Sequence, residues 1–218
     1  MNESTSGRLL SVNVGRPRNI EWLGRPETTS IWKSPVPGRV MVRGVNLEGD
    51  DQADREVHGG PDKAIYAYAS EDTAWWEGEL GRSLGPAAFG ENLTLEGVDV
   101  SGAIVGERWE IGSALFEVAQ PRFPCWKLGA RMNDQYFPDL FREARRPGAY
   151  LRIIREGAVG AGDQVRLVHR PTHGMTLRDV VDIYDTDRDR SREFLEIPEL
   201  AAGLKSWARR RLAHSKNR

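Results

Sequence analysis

Over the first 170 residues the apolar positions come in short runs, broken by glycine, proline and acidic turns. Residues 8–14 alternate, with Leu10, Val12 and Val14 on one face, which predicts a first strand. A polar, proline-marked stretch follows to about Arg39, and Val40 and Val42 open another short strand. The turn His58-Gly59-Gly60-Pro61-Asp62-Lys63 feeds a strand over Ala64–Ala69. Ser70 is then an expected N-cap, with Glu71 and Asp72 in the first turn of a helix carrying Trp75, Trp76 and Leu80 and ending at Gly81. From 89 to 120 the pattern is all strand: Phe89–Leu95, then Glu107–Ile111 and Ala114–Ala119 as a hairpin across Gly112-Ser113. Pro121–Cys125 ends that run. Helices are expected over Trp126–Met132 and Pro138–Arg145, and strands over Ala149–Arg155 and Gln164–His169 around a turn at Glu156–Asp163.

After Pro171 the period changes. Thr176 is placed to cap a helix bearing Leu177, Val180, Val181 and Tyr184, and Pro198 suits the first turn of a last helix with Leu200, Leu204 and Trp207 on one face. The expected organisation is therefore a β-rich domain over 1–170 with a helical extension over 171–218. Many short strands with glycine turns predict a mainly β barrel or sandwich, and spacing alone does not separate the two.

Composition narrows the chemistry. Lys+Arg 31 against Asp+Glu 32 in 218 residues leaves a charge of -1, so no global field favours nucleic acid or a membrane surface. No apolar run approaches the roughly 18 residues of a membrane span, and the N-terminus lacks a secretory pattern, so a cytoplasmic location is expected. The single cysteine, Cys125, excludes an intramolecular disulfide and a cysteine-ligated iron–sulfur cluster.

That cysteine lies in Pro121-Arg122-Phe123-Pro124-Cys125-Trp126-Lys127. Two prolines stiffen the approach, and Arg122 and Lys127 bring positive charge that favours a thiolate, the form that ligates soft metals or attacks electrophiles. Plain packing of a buried thiol is the competing reading. The two glycines of the 58–63 turn allow close backbone approach to an anion, with His58 and Lys63 beside it. Thr29-Ser30-Ile31-Trp32-Lys33 supplies two hydroxyls and an amine, and Glu91-Asn92 a paired acceptor and donor. Each of these segments also reads as an ordinary turn. Asp50, Asp51 and Asp54 lack EF-hand spacing, and Arg209-Arg210-Arg211 reads as a solvated helix end. GxSxG, HExxH, the P-loop and a strand-borne GxGxxG are absent from the sequence.

Taken in order, VNVGRPR, TSIWKSPV, NLEGDDQAD, HGGPDKAIYAY, WWEGELG, FGENLT, PRFPCWKLG and RPGAYLR resemble the MOSC-domain proteins over residues 11 to 170. The nearer likeness is to the stand-alone bacterial branch of 6-N-hydroxylaminopurine resistance proteins. The resemblance implies a β-barrel like that of the pyruvate kinase barrel domain, with peripheral helices and a small C-terminal helical subdomain. It implies molybdenum cofactor as the bound group and Cys125 as the metal's protein ligand. Lys33, His58, Lys63, Arg122, Lys127 and Arg145 or Arg146 would face the phosphate or pterin oxygens, with Asn92 among them. The implied activity is reduction of N-hydroxylated bases, amidoximes and hydroxylamines to amines, with His58 or a water as acid. The sequence carries no flavin or iron–sulfur signature, so electrons are expected from an external reductase. Sulfur carriage on a Cys125 persulfide and cofactor binding without turnover are the rival readings. Pyridoxal phosphate is set aside, because no lysine stands in a Schiff-base context.

Overall fold

The computed structural model of the chain describes residues 6–51 and 60–215. Seven strands build the central sheet: β1 (Ser6–Val14), β2 (Ile65–Ala69), β3 (Leu93–Glu96), β4 (Arg108–Ile111), β5 (Ala114–Pro121), β6 (Ala149–Arg155) and β7 (Gln164–His169). Their order is β7-β4-β5-β6-β2-β3-β1, and β1 returns to β7 through Ser6↔Arg166 and Gly7↔Val165. That closing pair decides for a barrel, since closure leaves the sheet no free edge. β2 and β3 run parallel, with Ala67 opposite Leu93, while the remaining neighbours are antiparallel. The β4–β5 hairpin turns at Gly112-Ser113 as its sequence predicts, with Ile111 opposite Ala114.

Register shifts bend the strands enough to close. One lies in β1 between Leu9 and Ser11, and two lie in β5. The β1 shift overturns the simple alternation expected there: Leu9 and Val12 point into the core, and Leu10 is turned outward. Inside the barrel Leu9, Ile65, Leu93, Trp109, Phe116 and Val118 pack together. The opposite face of β2 is equally dry. Tyr66 and Tyr68 lie beneath α1 (Ser70–Leu80), α2 (Trp126–Met132) and α3 (Phe137–Glu143), in a second core with Trp76, Phe89, Leu128 and Phe141. Burial on both faces explains why Ile-Tyr-Ala-Tyr-Ala has no polar alternation.

Some local expectations change. Ala69, not Ser70, holds the N-cap position of α1, and the Ser70 hydroxyl donates to Glu71. Residues 89–92 are turn rather than strand. The turn at 156–163 contains a strand, Gly157–Gly160, paired with Arg39–Arg43. The polar stretch after β1 includes a hairpin, Arg18–Trp22 with Arg25–Thr29.

The C-terminal region folds back onto the barrel. Thr176 caps α4 (Leu177–Asp185) in a reciprocal box with Asp179. The last helix, α5 (Ala202–Ser215), starts later than Pro198, which sits in the preceding turn. Leu177, Val180, Phe194, Leu204 and Ala208 join the same apolar cluster as the barrel interior. Main-chain bonds from Leu177 to Ala103 (2.9 Å) and from Ala201 to Ala119 (3.2 Å) fix the two regions together. Among the described residues no helix is long and apolar enough to cross a membrane.

Candidate functional site

A cleft of about 100 Å³, partly open to solvent, lies where four segments meet: the 29–33 loop, Asp50-Asp51, the 60–63 turn and the chain from Arg122 to Lys127. Lys33, Lys63, Asn92, Arg122, Cys125 and Lys127 all line it. They are scattered over almost a hundred residues of sequence, and the barrel end gathers them.

Each is positioned by local chemistry. The 29–33 loop is held by Ile31 N–H donating to the Thr29 hydroxyl (3.2 Å) and Lys33 N–H donating to the Ile31 carbonyl (3.1 Å). Two glycines let the flanking chain approach it. A side chain at Gly15 would meet the Trp32 and Ser30 carbonyls at 2.8 and 2.9 Å, and one at Gly90, where φ is +72°, would meet Ile31 at 2.7 Å. Asp50 then anchors the loop. Its buried carboxylate pairs with the Lys33 ammonium and accepts from Gly15 N–H (2.7 Å) and Asn92 Nδ2 (2.9 Å). Burial nevertheless pushes Lys33 below the ordinary lysine range, with Asp50 opposing the shift.

Asn92 links three elements. Its Oδ1 accepts from Tyr66 N–H (3.1 Å), and its Nδ2 donates to Asp50 and to the Asn13 carbonyl (3.3 Å). Arg122 follows the end of β5 and is buried. Its guanidinium donates to the Phe89 carbonyl and lies 4.9 Å over the Tyr66 ring. Cys125 holds the N-cap position of α2 in extended backbone, and its side chain makes no capping bond. The thiol is half-buried. Lys127 stands 5.9 Å over the Trp126 ring.

Among the described residues, the Ser30 Oγ in the wall is buried and has no hydrogen-bond partner. A buried hydroxyl without a partner costs about 1–3 kcal/mol. A ligand oxygen in the cleft would satisfy it.

Other expected residues lie elsewhere. Arg145 and Arg146 are outside this cleft. Arg145 pairs with Asp182, and Arg146 pairs with Asp72 and lies 4.4 Å over the Trp75 ring. The backbone beside them accepts the Tyr68 hydroxyl at Arg146 (3.1 Å) and the Tyr66 hydroxyl at Pro147 (2.9 Å), so this turn secures the outer face of β2. His58 falls outside the described residues. Asp50, Tyr66 and Tyr150 are wall residues that sequence reasoning passed over. Asp50 looked like one acid in a loop run, and its partner Lys33 is remote in sequence.

Glu91 is buried behind the wall, accepting from Phe89 N–H (3.1 Å) and the Thr94 hydroxyl (3.0 Å). Burial pushes its carboxyl above the ordinary range. The folded chain therefore retains a proton that the unfolded chain releases. This contribution to stability is full at acid pH and is lost as pH rises through the folded value. Unfolding free energies across pH are expected to shift steadily in favour of Glu91→Gln, relative to the parent, as pH climbs out of the glutamate range. A pH-independent difference would contradict this.

Comparisons with known proteins agree with the architecture. The MOSC domain family model matches residues 54–166. The chain is 35% identical over 199 residues to the uncharacterized protein YflK of Bacillus subtilis, covering 91% of this chain and 90% of that one. The crystal structure of YiiM from Geobacillus stearothermophilus superposes with a TM-score of 0.78 at 33% identity, covering 94% of this chain and 99% of that one. A Gibberella moniliformis protein named Reductase is 29% identical over 172 residues, which cover 76% of this chain but 30% of that longer protein.

Proposed function

The chain belongs to the MOSC-domain family, and from that premise we propose that the cleft binds molybdenum cofactor and that the protein reduces N-hydroxylated compounds to amines. The observation that carries this reading is the convergence of one thiol, Cys125, with four cationic side chains, Lys33, Lys63, Arg122 and Lys127, on one cleft.

The residues fit the group. Molybdenum cofactor is a pterin bearing a dithiolene and a phosphate. Phosphate asks for cationic donors, and an ammonium has three hydrogens, so Lys33 can keep Asp50 while donating to an anion. The unpartnered Ser30 hydroxyl offers a further contact. A single thiolate cannot hold a metal alone, and among the described residues no group of three or more His, Cys, Asp or Glu is placed to do so. A dithiolene would bring two sulfur ligands of its own, so one protein thiol suits this cofactor. Cys125 supplies a soft sulfur matched to it. When bound, the cofactor supplies two-electron redox chemistry that no side chain here offers.

The overall conversion is R–NHOH + 2 H+ + 2 e− to R–NH2 + H2O. The N–O bond breaks, and the oxygen leaves as water. The electrons come from an external reductase. The likeness to part of a longer protein named Reductase supports this direction of chemistry. Lys63 and Lys127 would hold the anionic end of the cofactor, and Asn92 and Asp50 keep Lys33 at the cleft wall.

The test is turnover. Protein from a cofactor-sufficient host, given a reduced viologen dye as electron donor, is expected to convert benzamidoxime to benzamidine. Metal-loaded protein that turns over no N-hydroxylated compound would overturn the reductase reading.

A further inference from the structure

Beside the cleft lies a second depression of about 400 Å³, open to solvent, between the 60–63 turn and α5. The two share Lys63 and Phe123 as lining residues, so they adjoin. The second has a different character. Phe123, Tyr184 and Trp207 form an aromatic row leading away from the cleft, with ring centroids 4.4 Å apart for the first pair and 4.7 Å for the second. Tyr184 comes from α4 and Trp207 from α5, so the C-terminal helices supply most of this row.

Charge gives the groove a second property. Its carboxylate, Asp62, is already engaged: one oxygen accepts from Arg152 Nε (2.6 Å) and the other from the Ala202 N–H (2.8 Å). Lys63 stands at the inner end, and Arg210 from the exposed side of α5 at the outer end. The groove is therefore lined by aromatic rings and carries the exposed Arg210 guanidinium at its outer end. Aromatic side chains select planar rings by offset or edge contacts. With Asp62 engaged by Arg152 and Ala202, the Arg210 guanidinium selects an anionic substituent at the outer end.

We propose that this groove is the substrate's specificity subsite, and that it takes N-hydroxylated compounds whose reacting group is carried on a planar aromatic ring bearing a carboxylate or phosphate. The inference rests on the reductase reading for the identity of the reacting group. The N-hydroxyl end would point past Phe123 into the cleft, and the anionic end would lie toward Arg210.

Binding tests it without requiring turnover. Dissociation constants for 4-carboxybenzamidoxime and uncharged benzamidoxime are measured by calorimetry on the full chain and on Arg210→Glu and Trp207→Leu, with molybdenum content determined on the same samples. The charged compound is expected to bind more tightly than the neutral one to the parent. Arg210→Glu should weaken the charged compound by about tenfold and the neutral one far less. Trp207→Leu should weaken both. Arg210 is exposed, so that variant answers even if the tryptophan variant misfolds. Equal affinity of the charged compound for parent and Arg210→Glu, in metal-loaded protein, overturns the subsite and leaves the cofactor reading standing. Protein without metal that still shows the charge-dependent difference supports the groove and counts against the cofactor reading alone.

Discussion

Cys125→Ser is expected to lose bound molybdenum while gaining, rather than losing, stability in the metal-free state. The two effects have separate causes. Serine is a harder, more weakly binding donor than thiolate for a metal already held by sulfur. Removing partners that only orient a metal ligand commonly lowers affinity about 10–100-fold, so loss of the ligand should cost at least that much. Stability goes the other way. Cys125 occupies the N-cap position of α2 without making a capping bond, and serine is a favoured N-cap residue. A new bond from the helix N–H groups is worth about 0.5–2 kcal/mol. Metal analysis after gel filtration reads the first effect, and denaturant unfolding of metal-free protein reads the second. A variant that retained metal at the parent's level would remove Cys125 from the site.

Arg122→Leu is expected to have the largest effect on the fold itself. The Phe89 carbonyl would lose a charge-assisted donor, worth about 1.5–3 kcal/mol. The contact over Tyr66 would go too, worth about 0.5–2 kcal/mol. Relief from burying the guanidinium offsets part of this. The net loss should be about 2 kcal/mol, lowering the melting midpoint by roughly 4–8 °C for a chain of this length. Because Phe89-Gly90 packs against Ile31, the 29–33 loop should loosen, and cofactor retention should fall with it. Lys63→Ala is the contrast: cofactor binding should weaken while the melting midpoint falls by less than for Arg122→Leu, since Lys63 is half-buried at the cleft wall and Arg122 is buried. Scanning calorimetry and metal content on both variants separate a residue that builds the wall from one that faces the ligand.

The elements legible in the sequence are those specified by neighbouring residues. The β4–β5 hairpin is announced by its Gly112-Ser113 turn, α2 by the break before Cys125, and α4 by Thr176 and the apolar period that follows it. The elements that escaped depend on distant partners. Gly157–Gly160 has the composition of a turn and becomes a strand because Arg39–Arg43 lies alongside it. The burial of Leu9 in place of Leu10 follows from a bulge set by β3, which no local period displays. The candidate site divides the same way. Cys125, Arg122 and Lys127 share one segment, and Lys33, Lys63 and Asn92 stand in short motifs of suitable donor chemistry. Arg145 and Arg146 have equally suitable chemistry, but Asp182 and Asp72, far off in sequence, draw them into ion pairs elsewhere. Asp50 drew notice only as a possible calcium ligand, although it holds Lys33 at the cleft.

The most direct measurement is X-ray absorption at the molybdenum edge of the unmodified chain, purified from a host that makes the cofactor. The account predicts a near-stoichiometric metal with three sulfur neighbours, two from the dithiolene and one from Cys125. Molybdenum with two sulfur neighbours only, or protein without molybdenum beside a persulfide on Cys125, would contradict it.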